Sequence, residues 1–114
     1  MATQHAVHGE VIRLSLGAAP GGPLKTTLAK TPELELVRLA LPAGKEIPTH
    51  KAPGAITVHC LEGRIAFTAA GETHDLEAGD LLYLAAGEPH SVKGVEDASV
   101  LVTKLSPRAA SEPG

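Results

Sequence analysis

The sequence predicts an all-β domain, a barrel or sandwich built from short strands. Proline and glycine recur at short intervals along the chain, and segments between regularly spaced turn signals are typical of many short strands. No stretch keeps a 3.6-residue hydrophobic period long enough for a major helix. The 114 residues, of which 43% are hydrophobic and 20% charged, suffice for one globular domain with one core.

The predicted strands lie between these turns, and two hairpins join three of them. The strand from Ala55 turns at Glu62-Gly63 into Arg64–Ala69, which turns again at Ala70-Gly71-Glu72. Glycine is expected at both turns because tight hairpins require positive φ. The complete predicted set is Val11–Leu16, Lys25–Ala29, Leu34–Leu41, Ala55–Glu62, Arg64–Ala69, Thr73–Leu76, Asp80–Leu84, His90–Val92 and Ser99–Leu105.

Composition argues against several classes of partner. Tyr83 and Phe67 are the only Tyr, Phe or Trp residues, so the aromatic platforms of single-strand nucleic-acid binders are lacking. The net charge of −3 and the absence of a Lys/Arg run disfavour a phosphate backbone. The apolar run Leu81–Ala86 is far too short to span a membrane. Met1–Glu10 lacks the apolar core of a signal peptide, and the single Cys60 suits a reducing compartment, which together predict a cytoplasmic protein.

Two motifs occupy the middle of the chain. Pro42–Gly63 reads PAGKEIPTHKAPGAITVHCLEG and Gly79–His90 reads GDLLYLAAGEPH. The residues that match a known pattern are Gly44, His50, Gly63, Gly79, Gly87 and His90. The two segments resemble the conserved motifs of the cupin family, in particular of small, single-domain, RmlC-like cupins. The second segment departs from the family pattern at Ala85, where a proline is usual.

This resemblance implies the fold and the organisation of the chain. Cupins form a double-stranded β-helix, the jelly-roll barrel, and we expect that barrel to cover residues 11–105. Residues 1–10 are then an N-terminal extension, partly flexible. Residues 106–114, rich in Pro, Ala, Ser and Gly, are expected to be a disordered tail.

The resemblance also implies a metal site, but only part of its ligand set is present in this sequence. Metal-binding cupins use two histidines and a glutamate from the first motif and one histidine from the second. These positions fall on His50, Ala52, Ile56 and His90, and neither Ala52 nor Ile56 has a donor atom. A catalytic metal usually takes three protein ligands. His50 and His90 therefore remain as an incomplete site for a divalent metal (Zn, Ni, Fe or Mn), or as two polar groups hydrogen-bonded to water in an apolar barrel.

Strand alternation indicates which side chains face the interior. The family's glutamate position, Ile56, faces inward, so Val58 and Cys60 follow it and His59 faces outward. Tyr83 is expected to line the barrel mouth or to pack. The candidate ligand-binding residues are His50, Ile56, Val58, Cys60, Tyr83 and His90, and no catalytic residue is assigned.

Three functions remain open at this stage, and whether the protein is an enzyme is not determined. The first is a module that binds a small apolar molecule or small acid in the barrel. The second is a metal-dependent enzyme of oxygenase or isomerase type that uses His50 and His90. The third is a dimeric structural or interaction protein with a vestigial pocket. A homodimer is expected because Leu34–Leu41 is apolar on both faces, and Val11–Leu16 is positioned to cap the partner's sheet edge.

Overall fold

The computed structural model describes residues 6–14 and 23–107. The predicted all-β class is confirmed, since the described residues contain seven antiparallel strands and no helix. Within this part of the chain, therefore, nothing helical is long and apolar enough to cross a membrane. In chain order the strands are β1 (Lys25–Lys30), β2 (Leu34–Leu41), β3 (Glu46–His50), β4 (Ile56–Ala69), β5 (Glu72–Glu77), β6 (Leu81–Leu84) and β7 (His90–Leu105).

Two long strands, β4 and β7, organise the barrel because each runs through both of its layers. The second half of β7 pairs with β2 and with the first half of β4. The first half of β7 pairs with β3 and with the second half of β4. One layer therefore has the order β1-β2-β7-β4-β6 and the other β3-β7-β4-β5. This is the predicted jelly roll, and its core packs between the layers.

The chain bends between the layers at Gly63, and there the predicted hairpin is wrong. Strand β4 continues through this position, with register shifts against β7 between Cys60 and Ile65. Such shifts are β-bulges, which bend a strand without ending it. Gly63 has φ +76°, and a Cβ built on it would overlap the carbonyl oxygen of Asp97. Glycine is required here by the close approach of two strands, and not by a turn.

The second predicted hairpin is confirmed. Strands β4 and β5 pair antiparallel, with Ala69 opposite Glu72. The two loop residues, Ala70 and Gly71, have φ of 53° and 79°. Positive φ at both central positions defines a type I′ turn, whose twist matches that of the flanking strands.

Strand β3 was not predicted from the sequence, although it ends at His50. Only Ile47 and Pro48 interrupt its polar residues, so it lacks the apolar alternation that predicts a strand. Among the described residues it pairs only with β7, and an edge strand of this kind tolerates the missing N–H of Pro48.

The N-terminal strand predicted over Val11–Leu16 is wrong where it can be examined. Residues 11–14 are not in a strand, and residues 15–16 lie outside the described residues. The contact of this region with the barrel is instead a hydrogen bond from the Ala6 amide to the Leu28 carbonyl in β1. Of the predicted tail, only residues 106 and 107 are described.

Candidate functional site

A cavity of about 230 Å³ lies inside the barrel between the two layers. Its walls are aliphatic because strand alternation turns β-branched residues inward on both layers. In β4, for example, Ile56 and Val58 are buried while Thr57 and His59 are half-buried on the other face. The aliphatic lining residues are Val37, Leu39, Ile47, Ala52, Ile56, Val58, Val92, Val100 and Val102.

The two motif histidines meet at this cavity. His50 ends β3 and His90 begins β7, and the two residues are register partners in that strand pair. Their ring centroids are 4.3 Å apart with the planes at 63°, so the rings are in edge-to-face contact. Phe67 of β4 stacks on the other side of His90, with centroids 5.5 Å apart. His90 is 5% exposed, whereas His50 is solvent-exposed at the cavity mouth.

Each imidazole is oriented by a carbonyl two residues earlier in the chain. The Nδ1 of His50 is 3.0 Å from the carbonyl oxygen of Pro48, and the Nδ1 of His90 is 2.9 Å from that of Glu88. A carbonyl only accepts, so Nδ1 is the protonated donor in both rings. In the neutral rings Nε2 then carries a free lone pair. The cavity therefore has two preset acceptors for a ligand hydroxyl or amide.

These residues do not fit the metal centre of the family. The positions of the other two ligands are taken by Ala52 and Ile56, and Ile56 is 4% exposed in an apolar wall. No group of three or more His, Cys, Asp or Glu residues suited to a metal occurs among the residues the structure describes. Two imidazoles alone fall short of the three protein ligands that an open metal site usually has. No chemistry through a metal follows from this site.

Cys60, which was predicted to contact the ligand, faces inward but does not line the cavity. Its side chain is fully buried at the bend, where Sγ donates to the carbonyl oxygens of Glu62 at 3.4 Å and Gly63 at 3.7 Å. Burial, and then the negative charge of Asp80, raises the pKa of the thiol. Cys60 is therefore a packing residue that lies deeper in the core than the cavity lining. The sequence did not predict this, because alternation along a strand gives the direction of a side chain but not its depth.

Tyr83 also lies away from the cavity, contrary to its predicted place at the mouth. In β6 the side chain of Leu84 is buried, so Tyr83 faces the opposite side and is 69% exposed. It is the register partner of Thr57, just as Leu81 is the partner of His59. Tyr83, Leu81 and His59 thus share the outer surface, which we call the β4–β6 outer face.

Three lysines that were not predicted from the sequence also line the cavity: Lys25, Lys51 and Lys104. Lys104 follows Val100 and Val102 at the inward-facing parity of β7, which is the signal that would have identified it. Its Nζ lies 4.0 Å from Glu35 Oε1. Burial, and then the charge of Lys25, lowers the pKa of Lys104, while Glu35 opposes the shift.

Comparison with known proteins agrees with this architecture. The structure of a conserved protein of unknown function from Streptococcus pyogenes (SPY1581) is 28% identical, with a TM-score of 0.78 over 93% of this chain and 95% of that one. An RmlC-like cupin from Desulfovibrio desulfuricans is 24% identical, with a TM-score of 0.76 over 89% and 100%. KdgF from Halomonas sp. is 22% identical, with a TM-score of 0.64 over 75% and 79%.

No curated protein matches the chain. The model of the cupin domain, however, matches residues 37–104, which extend from the cavity-lining Val37 of β2 to the cavity-lining Lys104 of β7. This match covers more than half of the chain and contains both histidines of the site. With a jelly roll whose two motif histidines meet inside it, the chain belongs to the cupin family.

Proposed function

We propose that this protein binds a small, largely apolar molecule inside the barrel, oriented by His50 and His90. The observation that carries the proposal is the aliphatic cavity of about 230 Å³ with the two contacting imidazoles on its lining. Small-molecule sites are typically concave and apolar, with a few polar groups that fix the orientation of the ligand.

The size of the cavity limits the ligand to one ring or a short chain. An apolar cavity of about 150 Å³ in a protein core is large enough to bind benzene. The larger volume here accommodates a six-membered ring with one substituent. A hydroxyl or amide on that substituent would donate to the free Nε2 of His50 or His90.

A metal-dependent enzyme is not favoured, because Ala52 and Ile56 stand where the family has ligands. The proposal includes a homodimer that forms through the β4–β6 outer face, where Leu81 and Tyr83 are 65% and 69% exposed. Exposed apolar surface of this kind is typical of interfaces. A cytoplasmic location is also proposed, since the lone Cys60 is an unpaired, buried thiol.

Titration of the full chain with benzyl alcohol and with toluene, followed by ¹H–¹⁵N NMR, tests the proposal. Benzyl alcohol should perturb amides around the cavity, such as those of Val58 and Val102, and should bind about three- to tenfold more tightly than toluene, as one net hydrogen bond allows. The double variant His50→Phe/His90→Phe keeps an aromatic ring at both positions but removes the acceptor nitrogens, and it should lose that preference.

The matched control is His8→Phe, since His8 is exposed and does not line the cavity. It should behave as the parent. Equal preference for benzyl alcohol in the parent and the double variant would refute the role of the histidines. If neither compound perturbed the cavity amides, binding in the barrel would be disproved.

A further inference from the structure

We propose that the ligand is an organic anion, a small apolar carboxylate whose charged group is held by Lys104, Lys25 and Lys51. This inference rests on the proposed binding function and adds the chemical class of the ligand. The three ammonium-bearing side chains line the same cavity as the histidine pair. The apolar part of the ligand would occupy the aliphatic interior, and the carboxylate would face the lysines.

Lys104 is placed on the inward face of the barrel. Lys104 is the register partner of Glu35 on β2 and of Ile56 on β4, so the three side chains share the inward face. Directly opposed residues of antiparallel strands have Cβ atoms about 5 Å apart. The lysine thus stands beside the residue that replaces the family's metal-binding glutamate. A cation therefore borders the position at which metal-binding cupins have a carboxylate.

The lining of the cavity carries an excess of positive charge. None of the cavity-lining residues within the described part of the chain is acidic, whereas three are lysines. Glu35 is the carboxylate near Lys104, and at 4.0 Å it compensates at most one of these charges. The protein as a whole has a net charge of −3. A local excess of positive charge inside an acidic protein is therefore a property of this site and not of the surface in general.

Lys104 lies in surroundings that disfavour its positive charge. Its side chain is 35% exposed, and burial together with the nearby Lys25 lowers its pKa. Both effects disfavour the protonated amine. A carboxylate bound between Lys104 and Lys25 would replace this repulsion by two charge-assisted hydrogen bonds, which are the stronger kind.

The opposing interpretation is that these lysines only extend their ammonium groups into water, with their stems covering apolar surface. That interpretation predicts a cavity with no preference for charge. Benzoate, nitrobenzene and benzylamine distinguish the two, because they have the same ring and nearly the same size but carry negative, zero and positive charge at pH 7. Neither benzoate nor nitrobenzene has an N–H or O–H to donate to the histidines, so these two compounds differ in charge alone.

The experiment is isothermal titration of the full chain with each of the three compounds in dilute buffer. We expect benzoate to bind about tenfold more tightly than nitrobenzene, the effect of one partly exposed charge-assisted hydrogen bond, and benzylamine to bind most weakly. Addition of about 0.5 M NaCl should reduce the affinity for benzoate and leave that for nitrobenzene unchanged.

Variants assign the preference to the lysines. Lys104→Met keeps the length of the side chain and should remove most of the roughly tenfold preference for benzoate, with the affinity for nitrobenzene retained. Lys25→Met should act in the same direction and replaces it as the test if Lys104→Met does not fold. Lys93→Met is the matched control, since Lys93 is an exposed residue of β7 outside the cavity lining.

The outcomes separate this inference from the function on which it rests. If nitrobenzene or benzylamine binds as tightly as benzoate, or if the folded Lys104→Met and Lys25→Met variants bind benzoate as the parent does, the inference is wrong while binding in the barrel stands. If none of the compounds binds, the proposed function fails and the inference fails with it.

Discussion

Replacement of Gly63 by alanine is the sharpest test of the bend between the two layers. The residue has φ +76°, and a Cβ there would overlap the Asp97 carbonyl oxygen and approach the Ala98 Cα to 2.8 Å. Both neighbours are backbone atoms of β7, so the strands must move apart. Gly71 is the matched control, because it has a similar φ of 79° and no atom of the residues that the structure describes lies within 4 Å of its would-be Cβ.

The expected cost follows from these two contributions. A left-handed conformation costs an alanine about 1–2 kcal/mol, and this applies to both positions. Overpacking against backbone adds about 1–3 kcal/mol at Gly63 alone. We therefore expect Gly63→Ala to destabilise the fold by about 2–5 kcal/mol, and at about 4–8 °C per kcal/mol its midpoint should fall by about 8 °C or more. Gly71→Ala should lose about 1–2 kcal/mol.

Urea denaturation and thermal melts followed by circular dichroism measure both variants. The measured quantity is the difference in stability loss between the two variants. The cost of positive φ is common to both, so it cancels in this difference. If Gly63→Ala and Gly71→Ala lose the same stability within about 0.5 kcal/mol, the accuracy to which independent effects usually add, then Gly63 lies in an open turn. The close approach of β4 and β7 at this point would then be refuted.

Three further predictions follow from the site and the surface. Ile56→Glu combined with Ala52→His should raise the affinity for zinc by restoring four ligands; if the folded variant binds no more zinc or nickel than the parent in calorimetric titration, the motif alignment is wrong. Cys60 should react with a thiol reagent only after unfolding, and because its pKa is raised in the fold, its contribution to stability is present at neutral pH and lost as the pH rises through the folded value. Urea melts should therefore show a steeper loss of stability above about pH 9 in the parent than in Cys60→Ala, and a parallel loss would contradict this. Light scattering at micromolar concentration should give twice the 11.7 kDa of one chain, and Leu81→Glu should give a monomer; a parent at the monomer mass would exclude the dimer.

Local signals were sufficient for much of the fold. Frequent glycine and proline predicted an all-β domain, and the alternation of Ile56 and Val58 with His59 predicted which side of β4 faces inward. The turn at Gly71 was predicted correctly because its signal lies within four residues. The two motifs placed His50 and His90 in one barrel although they are far apart in sequence, and the structure brings their rings together at 4.3 Å.

Features that depend on the neighbouring strand were beyond sequence reasoning. Gly63 carries the same local signal as a hairpin glycine, and only the approach of Asp97 from β7 distinguishes a bend from a turn. Strand β3 has almost no apolar alternation, so its pairing with β7 is what makes it a strand.

The candidate site divides in the same way between sequence and structure. By itself the sequence determined that His50 and His90 occupy the family's histidine positions and that Ile56 removes a ligand, because these are questions of residue identity. The tertiary structure decided that Cys60 lies too deep, that Tyr83 faces outward, and that Lys104 stands beside Ile56 on the cavity wall. A period of two residues specifies the face of a strand, but the depth of a side chain and the identity of its cross-strand neighbour depend on register, which is set by distant parts of the chain.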